Sequence, residues 1–535
     1  MRLRPEKRKK GAEGGRNGER NPEITHGRQE LKMDQRKENM MKNSLKTKVA
    51  SLLVFSMLLP LLASCGEGAA ENGGDSVPSQ GNTEVQPAET EAKRIYADDI
   101  PDDVQFDGQS VKFMWWAENR EFAEEYTGEV VNDAAYEREL SVEARLNVDI
   151  VNVGESYTWD TKDLYLDKIR SSVMASDGAY DVASGQYATM PGLVADRVFA
   201  NLKDLPYLDF SKPYWVQQLI EETSVNGKLF LATGDLSQVT INQVWCVMGN
   251  DTMRANLGLD NPVDLVHEGT WTKDAMNTML TGVYADTDGS QTKSGGDTFG
   301  LVIAEANCTY PFLNAWEISY TTLNEEGYPE LTFYNDKTVA AWEQMMAWCF
   351  DTKDVAYGGE GYVYFNAGNA FVEGRTLFNI SQFASVKACV ENMEDSYILL
   401  PMPKWDAEQA GYYTWLGESN TLFGILTSAA DLNAASAAME MMAAESYRLV
   451  SPAIYEINMK TRYSADQEMS RMFDLIRGGV VFNFGLVYGF AMNYMNIFWK
   501  GTITDNGNLS SAWKSQEKSY KAAIDQFFAA VEAMD

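Results

Sequence analysis

The sequence predicts an α/β protein built on mostly parallel sheets. Three observations carry this. Short alternating runs such as Val111, Phe113 and Trp115 read as strands with one packed face. Between such runs lie segments with apolar residues at helical spacing, as at Tyr136, Leu140 and Ala144. Strands alternating with helices of ten to fifteen residues imply βαβ units, whose helical crossovers bring strands together in parallel.

The elements follow in order. Val148 to Val153 reads as a second strand, Leu166, Ile169 and Val173 mark a second helix, and Tyr180 to Ser184 reads as a third strand. In such sheets ligands sit beyond the carboxyl ends of the strands. That points to Trp115-Trp116-Ala117-Glu118-Asn119 after the first strand and to Gly185-Gln186-Tyr187 after the third. The pattern restarts with a strand from Val244 to Met248. Thr272 reads as a helix N-cap, with Asp274 in the first turn. Asp286 to Gly296 is read as a surface loop. It has the carboxylates of a calcium loop, but Gly falls at the wrong place and no Glu stands at the twelfth position. Gly358-Gly359-Glu360-Gly361 is not followed by the Lys-Ser/Thr of a phosphate cradle. Helices are expected near 433–446, 465–477 and 487–499, and a long closing helix from about Ser511. No repeat of 20–50 residues is visible.

Ahead of the folded part, Lys42, Lys46 and Lys48 precede an apolar run from Val49 to Leu62, which ends in Leu62-Ala63-Ser64-Cys65. A basic segment, an apolar core and small residues at a cleavage site make a secretory signal. The run has 14 residues, short of the ~20 that span a bilayer. The segment resembles a bacterial lipoprotein signal with its lipobox. The resemblance implies that the Cys65 thiol is diacylated, that the preceding peptide is removed, and that Cys65 becomes the N-terminus. Residues 1–40 are read as an extension ahead of the true start, 41–64 as the signal peptide, and 65–104 as lipidated Cys and linker. The linker is rich in Gly, Glu, Asn, Ser and Pro and cannot bury enough surface to fold. Everything beyond it is expected to work outside the cytoplasm.

Charge narrows the partners. The whole chain has a net charge of −32, but residues 1–48 carry 15 Lys+Arg and 7 Asp+Glu, so the part after Cys65 is near −40. Such a field repels nucleic acid and anionic lipid and keeps a tethered protein soluble. About 440 residues beyond the linker are enough for two or three lobes with real cores. The cysteines are Cys65, Cys246, Cys308, Cys349 and Cys389, with no CxxC pair and no metal spacing. Outside the cell the last four could form two disulfides; in an anaerobe they could stay thiols. The only histidines are His26 and His267, too few for a His-based triad or a His-rich metal site. No metal and no cofactor are expected.

The remaining signal is aromatic. Of thirteen Trp, Trp115, Trp116, Trp245, Trp271, Trp316 and Trp415 sit where a strand or helix ends. An indole face can stack on the C–H face of a sugar ring while neighbouring carboxylates and amides bond the hydroxyls. Trp116/Glu118/Asn119, Gln186/Tyr187, Asn314/Trp316 and Trp415/Glu418/Asn420 have that mixed character, although a lone Trp is more often core than platform. A two-carboxylate glycosidase is conceivable, but 70 acidic residues after the signal make some pairing inevitable, and none stands out.

At this point the chain resembles the bacterial extracellular solute-binding proteins of family 1, the lipoprotein receptors of ABC importers, most often for sugars. The likeness rests on the lipobox and on an ordered series of motifs. These are Tyr180-Asp181-Val182 with Gly185-Gln186-Tyr187-Ala188, Leu202-Lys203-Asp204-Leu205 with Asp209-Phe210-Ser211-Lys212-Pro213, and Asn226-Gly227-Lys228-Leu229-Phe230 with Gly234-Asp235. It continues through Asn250 to Leu259, Gly269-Thr270-Trp271-Thr272, Ala370 to Arg375, and Leu399-Leu400-Pro401-Met402-Pro403-Lys404. Asn250-Asp251 departs from the family's Asn-Lys.

The resemblance implies a two-lobed periplasmic-binding-protein-like fold of type II, each lobe a mostly parallel sheet flanked by helices, joined by a hinge of crossing strands. The crossings would fall near Phe230 to Val244 and near Leu399 to Lys404. Lobe one would be 105–237 plus 405–452, and lobe two 243–400 plus 455–535. Carried over, the cleft would hold Trp116, Glu118, Asn119, Gln186, Tyr187 and Asp235 from one side, and Glu305, Asn307, Tyr310, Trp316, Gln382 and Phe383 from the other. Trp415 and Asn420 are added on their chemistry. The expected function is capture of a carbohydrate, an oligosaccharide first, by a monomeric, non-catalytic receptor. It would be anchored to the cell membrane through lipid on Cys65, face outward, and deliver its ligand to an ABC permease without binding nucleic acid. A secreted glycoside hydrolase, an adhesive lipoprotein and a receptor for peptides or another solute are the alternatives.

Overall fold

The computed structural model describes residues 98–117, 121–304, 306–358, 370–386, 392–455 and 467–534. Cys65 and the signal segment, Glu118, Asn119, Glu305, Gly359-Glu360-Gly361 and Cys389 lie outside the described residues. Among the latter the strands are β1 (Gln109–Trp116), β2 (Val148–Glu155), β3 (Val182–Gln186), β4 (Trp245–Asn250), β5 (Phe299–Ile303), β6 (Thr321–Leu323), β7 (Pro329–Leu331), β8 (Val355–Tyr357), β9 (Thr376–Gln382), β10 (Tyr397–Leu400) and β11 (Thr421–Ile425).

The first sheet has the order β11-β3-β1-β2. β1 runs parallel to both β2 and β3, and β11 closes the edge antiparallel to β3, with Thr421 opposite Gln186. Helices α1 (Val130–Leu146) and α2 (Lys162–Ala175) make the two crossovers. On β1, Val111 and Phe113 bury one face while Met114 and Trp116 bury the other, as in a sheet covered on both sides. Asp431 caps the helix α3 (Leu432–Glu445), which is rich in Ala and packs on α1, β1 and β11.

The second sheet has the order β10-β4-β9-β5-β8. Here the expectation of a mostly parallel sheet is corrected. β5 is parallel to β8 and β9, but β4 is antiparallel to β9 and β10. β4 arrives directly from the first sheet, so no helical crossover within its own sheet dictates a parallel partner. Thr272 caps the helix Lys273–Leu280 with its side chain, with Asp274 in the first turn, as its spacing predicts.

Three passages connect the sheets. The first, residues 230–244, and the second, 414–420, pair with each other. The Trp245 N–H donates to the Trp415 carbonyl and the Gly417 N–H to the Gln243 carbonyl, each at 3.2 Å. The expected second crossing at Leu399 to Lys404 is thus displaced. Leu399 and Leu400 belong to β10, and Lys404 pairs with the Trp271–Lys273 backbone instead of leaving. Residues 405–413 also stay with the second sheet: Gln409 Nε2 donates to the Ala315 carbonyl at 2.9 Å and Trp405 meets Trp316 at 5.4 Å. The third passage begins at Ser446, after α3, and leads to α4 (Gln467–Gly478), which packs on β10.

The single helix expected at 487–499 is broken. A short helix at Phe484–Val487 gives way to Phe498–Thr504 through a turn in which Asn493 and Tyr494 take φ of 55° and 59°. Left-handed residues end an α-helix. A Cβ on Gly489 would lie 2.5 Å from the Asn496 nitrogen and from the Gly485 carbonyl, so this close turn needs glycine. The closing helix α5 (Leu509–Glu532) begins with Trp513 against Phe333 at 4.9 Å. It ends with the Ala533 carbonyl accepting from Arg197 at 2.9 Å and the Met534 carbonyl accepting from Lys228 Nζ.

Glu440, on α3, is fully buried and accepts from the Tyr214 hydroxyl, Trp215 Nε1 and the Asp209 N–H. Burial pushes its carboxyl up from 4.5 to about 7, against these hydrogen bonds. A carboxyl that keeps its proton longer in the fold than in the unfolded chain lowers stability as pH rises. Stability is therefore full below pH 4.5 and falls on the way to pH 7, by roughly 3 kcal/mol from this group. Urea unfolding at pH 4.5 and pH 8 should show that fall, and Glu440→Gln should flatten it. An unchanged pH slope in the variant would refute the assignment.

Candidate functional site

A cavity of about 300 Å³ opens where the first two passages meet the second sheet. Gln243 and Trp245 line it from the first passage and the start of β4, and Trp415, Glu418 and Ser419 from the second passage. Asn307, just after β5, and Gln382, the last residue of β9, complete it. β5 and β9 are parallel, so the cavity lies beyond their carboxyl ends. β11 begins next to Ser419 and pairs antiparallel with β3, so the end of β3 faces the same region.

Two features give the cavity its chemistry. The first is an aromatic wall: the Trp245 and Trp415 rings stack at 6.1 Å with 19° between their planes, and Tyr310 backs Trp415 at 5.1 Å. The second is a row of polar heads. Gln382 Nε2 donates to Gln243 Oε1 at 2.6 Å, and the Trp245 indole N–H has no partner among the described residues. Gly417 sits against these heads. A Cβ there would lie 2.7 Å from Gln382 Nε2, 2.9 Å from Gln243 Oε1 and 3.1 Å from Trp245 Nε1. Glu418 supplies negative charge. Burial first, and then this carboxylate, push the Tyr187 and Tyr310 hydroxyls up.

The loop behind the cavity is held from the first sheet. The Tyr187 N–H donates to the Asn420 carbonyl at 2.7 Å and the Ala188 N–H to the Glu418 carbonyl at 3.3 Å. Asn420 is fully buried, and its Oδ1 accepts from Thr240 at 3.0 Å.

Of the residues expected at a cleft, the structure brings Asn307, Gln382 and Trp415 together at the cavity. Tyr187, Tyr310 and Asn420 stand behind it. Gln186 is half-buried at the end of β3, opposite Thr421, and is not among the lining residues. Asp235 pairs with Arg477 of α4 at 3.3 Å.

Three of the expected aromatic platforms are buried away from the cavity lining. Trp116 is buried 5.1 Å from Tyr165 under α2, Trp316 is buried between Phe312, Trp348 and Trp405, and Phe383 packs on Phe473 at 4.8 Å. Each buries a large apolar ring in the core, where it gains more than at a solvated edge. Gln243, Trp245, Glu418 and Ser419 line the cavity without being among the expected cleft residues. Trp245 and Glu418 carried the right chemistry, as a Trp at an element end and a carboxylate beside Trp415; Gln243 and Ser419 carried no signal.

Asp286, Asp288 and Asp297 place carboxylate oxygens within 4.8 Å of one another, close enough to share a cation. Their own loop already serves them: Gln291 N–H bonds Asp286, Ser290 and Ser294 bond Asp288, and Thr287, Ser294 and Tyr284 bond Asp297. Those hydrogen bonds hold the Asp288 carboxyl down at about 2. Cys246, Cys308 and Cys349 are buried, and burial pushes the Cys349 thiol up to about 12.

No protein-family model and no curated protein sequence matches this chain. Solved structures do. An ABC transporter solute-binding protein from Thermotoga lettingae TMO, bound with α-D-tagatose, is 12% identical with a TM-score of 0.51, covering 78% of this chain and 100% of that one. A cyclo/maltodextrin-binding protein complexed with maltotetraose is 11% identical with a TM-score of 0.51, over 81% and 99%. UspC of M. tuberculosis is 13% identical with a TM-score of 0.50, over 77% and 100%. The chain therefore has the two-lobed, periplasmic-binding-protein-like α/β fold.

Proposed function

We propose that this chain is an extracellular solute-binding lipoprotein that captures a carbohydrate between its lobes and delivers it to an ABC transporter permease. The observation that carries the reading is the cavity beside the first two passages, where stacked indoles meet a row of amide and carboxylate heads. Indole faces suit sugar C–H faces, and the heads suit hydroxyls. Each lobe carries one sheet, and the three passages make the hinge. The open lobes sample closure, and a ligand that bonds both shifts the population toward the closed state. No step of this needs a reacting group. The sugar bound in the Thermotoga lettingae and maltodextrin-binding structures supports the ligand class.

The anchor is Cys65, lipidated after removal of residues 41–64, and the linker holds the lobes away from the membrane. Among the described residues no helix is long and apolar enough to cross a bilayer. The receptor acts as a monomer.

Thermal unfolding of the chain after Cys65 against a panel of oligosaccharides, with product analysis on the same samples, tests the reading. A ligand at 100-fold its Kd should add ~2.7 kcal/mol, and the sugar should be recovered intact. Cleavage of the sugar would establish a hydrolase instead, and no shift across the panel would move the ligand class to peptides or end the receptor reading. Gly417→Ala should weaken the same ligand by about tenfold, because its methyl crowds three polar heads of the cavity. Full affinity in that variant would place the ligand elsewhere.

A further inference from the structure

Arg138 sits in the middle of α1 and is fully buried. Its Nη1 donates to Ser446 Oγ at 3.1 Å and to the Leu236 carbonyl at 3.5 Å. Its Nη2 donates to the Glu121 carbonyl at 2.8 Å and to Glu139 Oε1 at 3.2 Å. Glu121, also buried, turns its carboxylate toward the same place. It accepts from Ser237 Oγ at 2.7 Å, from the Gln238 N–H at 2.8 Å and from Thr421 Oγ1 at 2.5 Å.

These partners share one property. Leu236, Ser237 and Gln238 lie in the first passage, Thr421 is where the second passage enters β11, and Ser446 starts the third. One buried hub therefore holds all three interlobe connections at the point where they join the first lobe. Buried ion pairs are a poor source of stability, since apolar replacements of similar volume are often as good or better. Their best-attested use is to fix geometry. None of Glu121, Arg138 or Thr421 lines the cavity.

The geometry points to Glu121 and Arg138 as positioning residues for the interlobe angle. They fix where the passages leave the first lobe, and so tune ligand affinity without touching ligand. The affinity part rests on the receptor reading above; the angle part does not.

The experiment compares the chain after Cys65 with its Glu121→Gln and Thr421→Val variants. Each variant removes links to the passages while keeping side-chain size. Asp181→Asn is the control, a buried carboxylate of the same lobe that accepts from the Lys112 and Ala430 N–H groups, both outside the passages. Small-angle X-ray scattering without ligand reads the distance distribution between lobes, calorimetry reads Kd for the sugar found by unfolding, and circular dichroism checks the fold. Glu121→Gln should keep its helix and strand signal, shift the interlobe distances and change Kd at least fivefold. The control should leave both unchanged. Thr421→Val should move both in the same direction, and it carries the test if Glu121→Gln does not fold. A folded variant with wild-type scattering and a Kd within twofold of wild type overturns the proposal. If no sugar binds the wild-type chain, the receptor reading falls and the scattering alone decides the hub.

Discussion

Replacing Trp415 by alanine is expected to weaken carbohydrate binding about a hundredfold or more, ~2.7 kcal/mol, and to abolish the ligand-induced melting shift. Trp415 is both a wall of the cavity and the middle of an aromatic stack, between Trp245 at 6.1 Å and Tyr310 at 5.1 Å. It is almost wholly buried, so its removal should also cost the fold about 3–5 kcal/mol. The two losses need separating. Trp513→Ala provides the comparison, because Trp513 is equally buried but packs on Phe333 and Phe498 away from the cavity. That variant should lose similar stability and keep its affinity. Calorimetry on both, below their melting points, checks the pair; equal affinity in the two would remove Trp415 from the site.

Arg138→Ala should destabilise the chain by about 3–5 kcal/mol, the range for breaking a buried ion pair from one side. The alanine strands the carbonyls of Glu121 and Leu236, and leaves Glu139 buried without its guanidinium. Burial already pulls the Arg138 pKa down and pushes Glu139 up, with each charge opposing the shift of the other. Removing the cation therefore leaves Glu139 with burial less opposed, and its carboxyl should take up a proton at higher pH than in the parent. Urea unfolding at pH 7 reads the loss. A change below about 1 kcal/mol would mean that the surroundings relax around the gap and that the network carries little.

The same network explains where sequence reading stopped. On α1 the apolar positions Tyr136, Leu140 and Ala144 mark one face, but the buried residues are Ala135, Arg138, Glu139, Val142 and Leu146. A charge pair that satisfies itself inside the fold looks like solvent-facing polarity when counted by hydropathy. The strands of the first sheet were legible because their alternation and crossover lengths are local properties. The break at Asn493-Tyr494 was not, since it depends on a close approach of Gly489 to Asn496. At the cavity, Trp415 follows from chemistry placed at an element end, while Gln382 and Asn307 come only from the family resemblance. Trp116 and Trp316 satisfy the same rule and are core. Only the path of the passages separates these cases, and that path is a tertiary property.

The first sheet takes its edge strand from Thr421–Ile425, and the closing helix reaches back so that Ala533 and Met534 accept from Arg197 and Lys228. Neither lobe is thus a continuous stretch of chain. Early residues cannot finish their sheet until far later ones have been made, and the last turn is stitched to residues near the middle. Pairing across such separations makes folding slow, because loop closure must precede the contacts that reward it. The export that the proposed function requires would profit from that delay. An incomplete chain holds no finished lobe, and folding completes only once the C-terminal helix is available to dock on Arg197 and Lys228.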